Sequence, residues 1–170
     1  MPYDTYSNDL DNFEPVARII VIGVGGAGNN AVNRMIDENI QNVEFYVMNT
    51  DKQALSTSKA PNRLVLGDEV TKGLGAGGDP NVGEAAAKAS EDEIRKVVRG
   101  ADMVFVAAGM GKGTGTGAAP IIAKIAKEEG ALTVAIVTRP FSFEGKVRIA
   151  NAVNGLNDLK ENVDSIIIVS

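Results

Sequence analysis

Apolar residues in this chain come in short runs separated by amphipathic stretches, and the alternation is regular from residue 18 onward. Residues 18–23, Arg-Ile-Ile-Val-Ile-Gly, form a nearly continuous β-branched run, the mark of a strand buried on both faces. Runs at 43–48, 64–66, 103–108, 132–138 and 166–169 read as five more strands. Helical spacing fills the intervals. In 29–39, Ala31, Val32, Met35 and Ile36 share one face. A two-piece helix follows Asp79-Pro80, an N-cap and a residue suited to the first turn. Ser90-Glu-Asp-Glu93 predicts a capping box that restarts it, with Ile94, Val97 and Val98 as the buried edge. Helices are also predicted at 118–129, with Pro120 near the start, and at 146–162.

Six strands alternating with helices predict an α/β, doubly wound parallel sheet with right-handed crossovers. If the first three strands wind one way and the last three the other, the order is 3-2-1-4-5-6. The order then reverses between strands 1 and 4, and open α/β sheets bind ligands at that crevice.

Glycine clusters follow both of those strands: Gly23-Val-Gly-Gly-Ala-Gly28, and residues 109–117, Gly-Met-Gly-Lys-Gly-Thr-Gly-Thr-Gly. A strand turns into a helix with ordinary loop residues, so glycine in this number indicates close backbone approach or positive φ. A helix start adds unpaired N–H groups and the positive end of the helix dipole, and the two make a seat for phosphate. Thr114 and Thr116 add hydroxyls. A third cluster, Gly73-Leu-Gly-Ala-Gly-Gly78, precedes the two-piece helix.

Composition narrows the chemistry. The 170 residues suffice for one domain with a real core. No apolar run approaches the roughly 20 residues of a membrane span, and the polar, acidic residues 1–15 exclude a secretory signal and read as a disordered arm. Cysteine is absent, which removes thiol chemistry and favours a cytoplasmic location. Histidine is absent too, leaving carboxylates, lysines, hydroxyls and water for acid–base work. The net charge of −5 argues against nucleic acid as a partner.

Two nucleotide classes fit the spacing. Gly23, Gly25 and Gly28 satisfy G-x-G-x-x-G, and Asp51 lies 23 residues after Gly28, as in an NAD-binding domain of an oxidoreductase. Against this, three glycine clusters exceed the single pyrophosphate seat a dinucleotide needs. A P-loop is excluded, because Lys112 is followed by Gly113 and position 106 is not glycine.

Residues 109–117 resemble the signature loop of the tubulin/FtsZ family. The segment Gly23 through Arg34, Asn49-Thr50-Asp51, Gly73 through Pro80, and Thr138-Arg-Pro-Phe-Ser-Phe-Glu-Gly145 are similar to its bacterial cell-division members. The resemblance covers residues 16–170 and implies the GTP-binding domain of a filament-forming GTPase. It implies phosphate contacts from Gly25, Gly26, Ala27, Gly28, Asn29 and Asn30, and from Gly109, Gly111, Lys112, Gly113, Thr114, Gly115 and Thr116. It implies that Ala76, Gly77 and Gly78 approach the γ-phosphate. Glu144 accepts from the ribose, Arg148 sits by phosphate or sugar, and Asp51, Pro140 and Phe141 complete the set. Asp51 also reads as a helix-entry carboxylate, and Phe141 and Phe143 either stack on guanine or cap the core. The resemblance implies GTP or GDP as the ligand, with Mg²⁺ held by phosphates and water rather than by protein side chains.

Ala27 and Lys112 stand where relatives usually have glycine. Lys112 reads either as a cation added beside the phosphates or as a solvated side chain pointing outward, and it is strained if its φ is positive. The family's pattern continues with a central helix and a second domain, whose acidic loop positions the attacking water in a neighbouring subunit. The resemblance therefore implies no catalytic residue within this chain, weak hydrolysis and polymerisation by it alone, and head-to-tail filaments with cell-division partners for the whole protein.

Overall fold

The computed structural model describes residues 16–169, so the arm expected at 1–15 lies outside them. Six strands form one sheet: β1 (Ile19–Val24), β2 (Glu44–Asn49), β3 (Asn62–Val65), β4 (Met103–Gly109), β5 (Leu132–Thr138) and β6 (Ser165–Val169). Their order is β3-β2-β1-β4-β5-β6, and every pairing is parallel. The expected order 3-2-1-4-5-6 is therefore the observed one.

The β-branched run of β1 is buried on both faces, as its composition requires. Ile20, Ile22 and Val24 join Val104 and Val106 of β4 in the larger core, under Ile94 and Val98 of α5 (Glu91–Val98), Ile122 of α6 (Gly113–Glu128) and Leu159 of α7 (Lys146–Lys160). Val21 points the other way and packs with Phe45, Val47, Val32 of α1 (Gly25–Asp37) and Leu55 of α2 (Lys52–Ser56). Two short helices, α2 and α3 (Asp68–Thr71), were not expected, since four or five residues carry no periodicity. After them comes α4 (Pro80–Ala89).

Two helices begin earlier than their sequence suggests. Helix α1 starts at Gly25 rather than 29, and α6 at Gly113 rather than 118. Most of each glycine cluster is thus a first helical turn, in spite of glycine's cost of about 1 kcal/mol per residue in helices. Packing overrides propensity here. A β-carbon on Gly83 of α4 would lie 2.5 Å from the Gly113 carbonyl oxygen, so α4 and α6 touch backbone to backbone. Pro120 accordingly falls inside α6 instead of near its start. The capping box at Ser90 does not form. Its hydroxyl instead accepts from the Gly67 N–H at 2.8 Å, tying α4 to the turn after β3.

Among the described residues nothing covers the α1 face of the sheet over β5 and β6. Leu132, Ile167 and Val169 are each close to half exposed, and β6 is a free edge strand. The chain is expected to self-associate as its concentration rises, and Ile167→Lys to shift it towards monomer, both read by size-exclusion chromatography. A concentration-independent monomer of the unsubstituted chain contradicts this.

Candidate functional site

Strand β1 enters α1 with no intervening loop, Val24 being the N-cap residue. Strand β4 enters α6 through Met110, Gly111 and Lys112 alone. Because β1 and β4 are neighbours, the two helix starts lie side by side at the carboxyl ends of the strands. A β-carbon on Gly25 would lie 3.1 Å from the Gly115 nitrogen, and one on Gly109 would lie 2.7 Å from the Ala27 Cβ. Gly25 itself has φ of 72°, a conformation that suits glycine.

A hollow of about 210 Å³ opens between them, lined by Val24, Gly26, Ala27, Ala76, Gly78, Gly109, Lys112, Gly113, Thr114, Gly115 and Arg148. An adjoining hollow of about 230 Å³ shares Ala27, Gly109 and Lys112 with it and is walled by Met110, Thr138, Arg139, Pro140, Phe141 and Glu144. Together they make one cleft of small-molecule size, on the scale of roughly 300–1,000 Å³. Three cations, Lys112, Arg139 and Arg148, face one carboxylate, Glu144. The cleft is therefore positive in a chain that is negative as a whole, which favours an anion.

The third glycine cluster is fastened to this cleft. The Gly75 N–H donates to the Thr50 carbonyl at 3.1 Å, and the Lys52 N–H to Gly73 at 3.0 Å. The Thr50 and Thr114 hydroxyls share a hydrogen bond of 2.7 Å. Asp79 N-caps α4 as expected, accepting from Asn81 N–H. Gly77 and Gly78 hold positive φ with open space where a β-carbon would stand.

Other candidates have local partners. Asp51 N-caps α2, its Oδ1 accepting from Gln53 and Ala54 N–H at 2.9 and 3.2 Å, which is the helix-entry reading. Thr116 is buried and accepts from Gly111 N–H at 2.7 Å, closing the turn that Gly111 makes at φ 106°. Gly28 is buried in α1, whereas Asn30 is exposed. Asn29 is 8% exposed, and its Oδ1 has no partner among the described residues. An unpaired buried acceptor costs about 1–3 kcal/mol, which a ligand donor would recover. Phe141 and Phe143 do not cap the core. They are 62% and 83% exposed and stack on each other, with ring centroids 5.3 Å apart. Val24, Met110, Thr138 and Arg139 line the cleft without having been singled out. All four lie inside the glycine clusters or the 138–145 segment, so membership of those segments was the available signal.

Glu144 is held below the ordinary carboxylate range by the Phe141 N–H, at 2.9 Å, and then by Arg148, at 3.3 Å. Folding lowers its proton affinity, so its hold on the loop is present above the ordinary value and is lost as pH falls through the depressed one. The Phe141 amide resonance is expected to move on acidification only below the ordinary glutamate value of about 4.3. A transition at or above that value contradicts the tether.

A parallel sheet with two glycine-bearing helix starts at its switch point, beside a positive cleft, is the architecture of a doubly wound α/β domain with a seat suited to an anion. Residues 18–170 match the family described as "Tubulin/FtsZ family, GTPase domain", and the chain belongs to that family. It is similar to a solved FtsZ dimer, empty, from M. jannaschii, with 48% identity and a TM-score of 0.89, over 91% of this chain and 45% of that one. It is also similar to GDP-bound CetZ1 of Haloferax volcanii, with 28% identity and a TM-score of 0.81, over 89% and 50% of the two chains. A GTPγS-bound CetZ2 protofilament from the same organism matches with 26% identity and a TM-score of 0.81, over 89% and 48%. The chain spans about half the length of these relatives. Family membership sets aside the NAD reading of G-x-G-x-x-G. Among the described residues no helix is long and apolar enough to cross a membrane.

Proposed function

We propose that this chain binds GTP and GDP in the cleft between α1 and α6, as the nucleotide-binding half of a filament-forming cell-division GTPase. The observation that carries the reading is the approach of Gly25 to Gly115, which sets two rows of helix-start N–H groups on one small volume. Gly26, Ala27, Gly113, Thr114 and Gly115 cradle phosphates, Ala76 and Gly78 approach the terminal one, and Arg148 and Glu144 lie towards the sugar. Asn29, whose side-chain oxygen has no partner among the described residues, is available to accept from a ligand donor. Cell-division membership rests on the motifs resembling the bacterial branch, while the solved relatives named above are archaeal.

Among the described residues no three Asp, Glu or His side chains gather to hold a metal ion. A Mg²⁺ ion arriving with the nucleotide would take its ligands from phosphate oxygens and water, and would supply charge neutralisation in phosphoryl transfer. This chain's own residues bind and orient the phosphates. Hydrolysis and head-to-tail assembly, in this reading, need polypeptide of the kind that makes up the other half of its relatives' length.

Parallel titration of the chain with GTP, GDP and NAD by calorimetry tests the reading. Binding of both guanine nucleotides without NAD supports it. NAD binding, or no heat from any of the three, overturns it.

A further inference from the structure

Lys112 breaks the local rules of its position. It is the N-cap residue of α6, where Ser, Thr, Asp, Asn or Gly is favoured, and it makes no side-chain capping bond. Its ammonium group adds positive charge to the end of a helix that is already positive, which is unfavourable. Backbone geometry does not select it either. Its φ and ψ are −95° and 168°, open to any residue, while the left-handed turn is made by Gly111 next to it. The strain envisaged for a non-glycine residue here is therefore absent.

Nothing within the described protein compensates. Arg148 is engaged by Glu144, but among the described residues Lys112 takes part in no ion pair and no side-chain hydrogen bond. It is exposed, as a solvated side chain is, but it stands at the cleft rather than away from it. It lines both hollows of the cleft, and its charge helps to depress Glu144 across the opening. A cation placed against its own helix, unpaired and beside a cleft suited to an anion, is consistent with a site whose anion completes it. Lysine acts on phosphate as a compact point charge with three donors.

We infer that Lys112 supplies a fixed positive charge to the phosphates and takes over part of the neutralisation otherwise left to a divalent cation. Nucleotide binding by this chain then depends less on divalent metal than it would with glycine at that position. The inference rests on the nucleotide reading above.

The test is a titration of GTP and GDP into the 170-residue chain, in Mg²⁺ and again in EDTA, for the unsubstituted protein, Lys112→Gly and Lys112→Arg. Thermal midpoints confirm that each variant folds. Lys112→Gly is expected to weaken GTP binding about threefold in Mg²⁺ and at least about tenfold in EDTA, the scale of one charge-assisted hydrogen bond. Lys112→Arg is expected to restore most of the EDTA affinity. An equal Mg²⁺-to-EDTA affinity ratio in the unsubstituted chain and Lys112→Gly overturns the inference and leaves the nucleotide reading standing. No binding by any form in either medium overturns both.

Discussion

Replacing Gly25 by alanine is expected to weaken GTP and GDP binding about a hundredfold while leaving the domain folded. The added methyl group would lie 3.1 Å from the Gly115 nitrogen and 3.5 Å from the Thr114 Cβ, at the junction of the two helix starts. It also has to adopt φ of 72°, which costs a β-carbon about 1–2 kcal/mol. Moving the starts apart removes N–H donors from a charged ligand. Each such bond is worth about 1.5–3 kcal/mol, and about 1.4 kcal/mol is tenfold in affinity. Gly130→Ala is the control, since Gly130 has φ of 92° and open space around it, far from the cleft in the fold. Its backbone penalty is similar, and its nucleotide affinity should be unchanged. Calorimetric titration of both variants reads the difference. An affinity within twofold of the unsubstituted chain for Gly25→Ala contradicts the shared-seat account.

The second large effect is on stability. Gly117→Ala adds one carbon to α6, and intrinsic propensity alone predicts a gain of about 1 kcal/mol. The carbon would lie 2.7 Å from the Glu84 nitrogen and 2.9 Å from the Pro80 carbonyl carbon, both backbone atoms of α4. Backbone cannot rotate away as a side chain does, so α4 has to back off α6 and open the core between them. Overpacking of this kind costs about 1–3 kcal/mol or more. We expect the clash to win by about 2 kcal/mol, lowering the thermal midpoint by about 4–8 °C. A variant as stable as the unsubstituted chain, or more stable, contradicts the close approach of the two helices.

These two glycines also mark where sequence reading succeeded and where it stopped. The strand order was legible because each strand is a short apolar run and the connections leave few topologies open. The crevice between β1 and β4 followed from that order. The helix starts were misplaced for one reason: Gly25 and Gly113 are poor helix formers, and their helicity comes from contacts with residues distant in the chain. Ser90 was misjudged likewise. Its motif is local, but its hydroxyl goes to Gly67, a partner no window of sequence contains. Asp51 illustrates the opposite case: of the two roles its sequence context offered, ligand contact and helix entry, the local capping role is formed in the fold. The position of Lys112 in the cleft depended on the turn at Gly111, and turn conformation in a run of glycines leaves no pattern to read.

The central claim is that two helix starts, 88 residues apart in the chain at Gly25 and Gly113, hold the same phosphates. Backbone amide resonances followed during titration with GDP test it most directly. The account predicts that Gly26, Ala27, Gly113 and Gly115 shift together along one binding curve. Shifts confined to one of the two starts, or two curves with different midpoints, would contradict it.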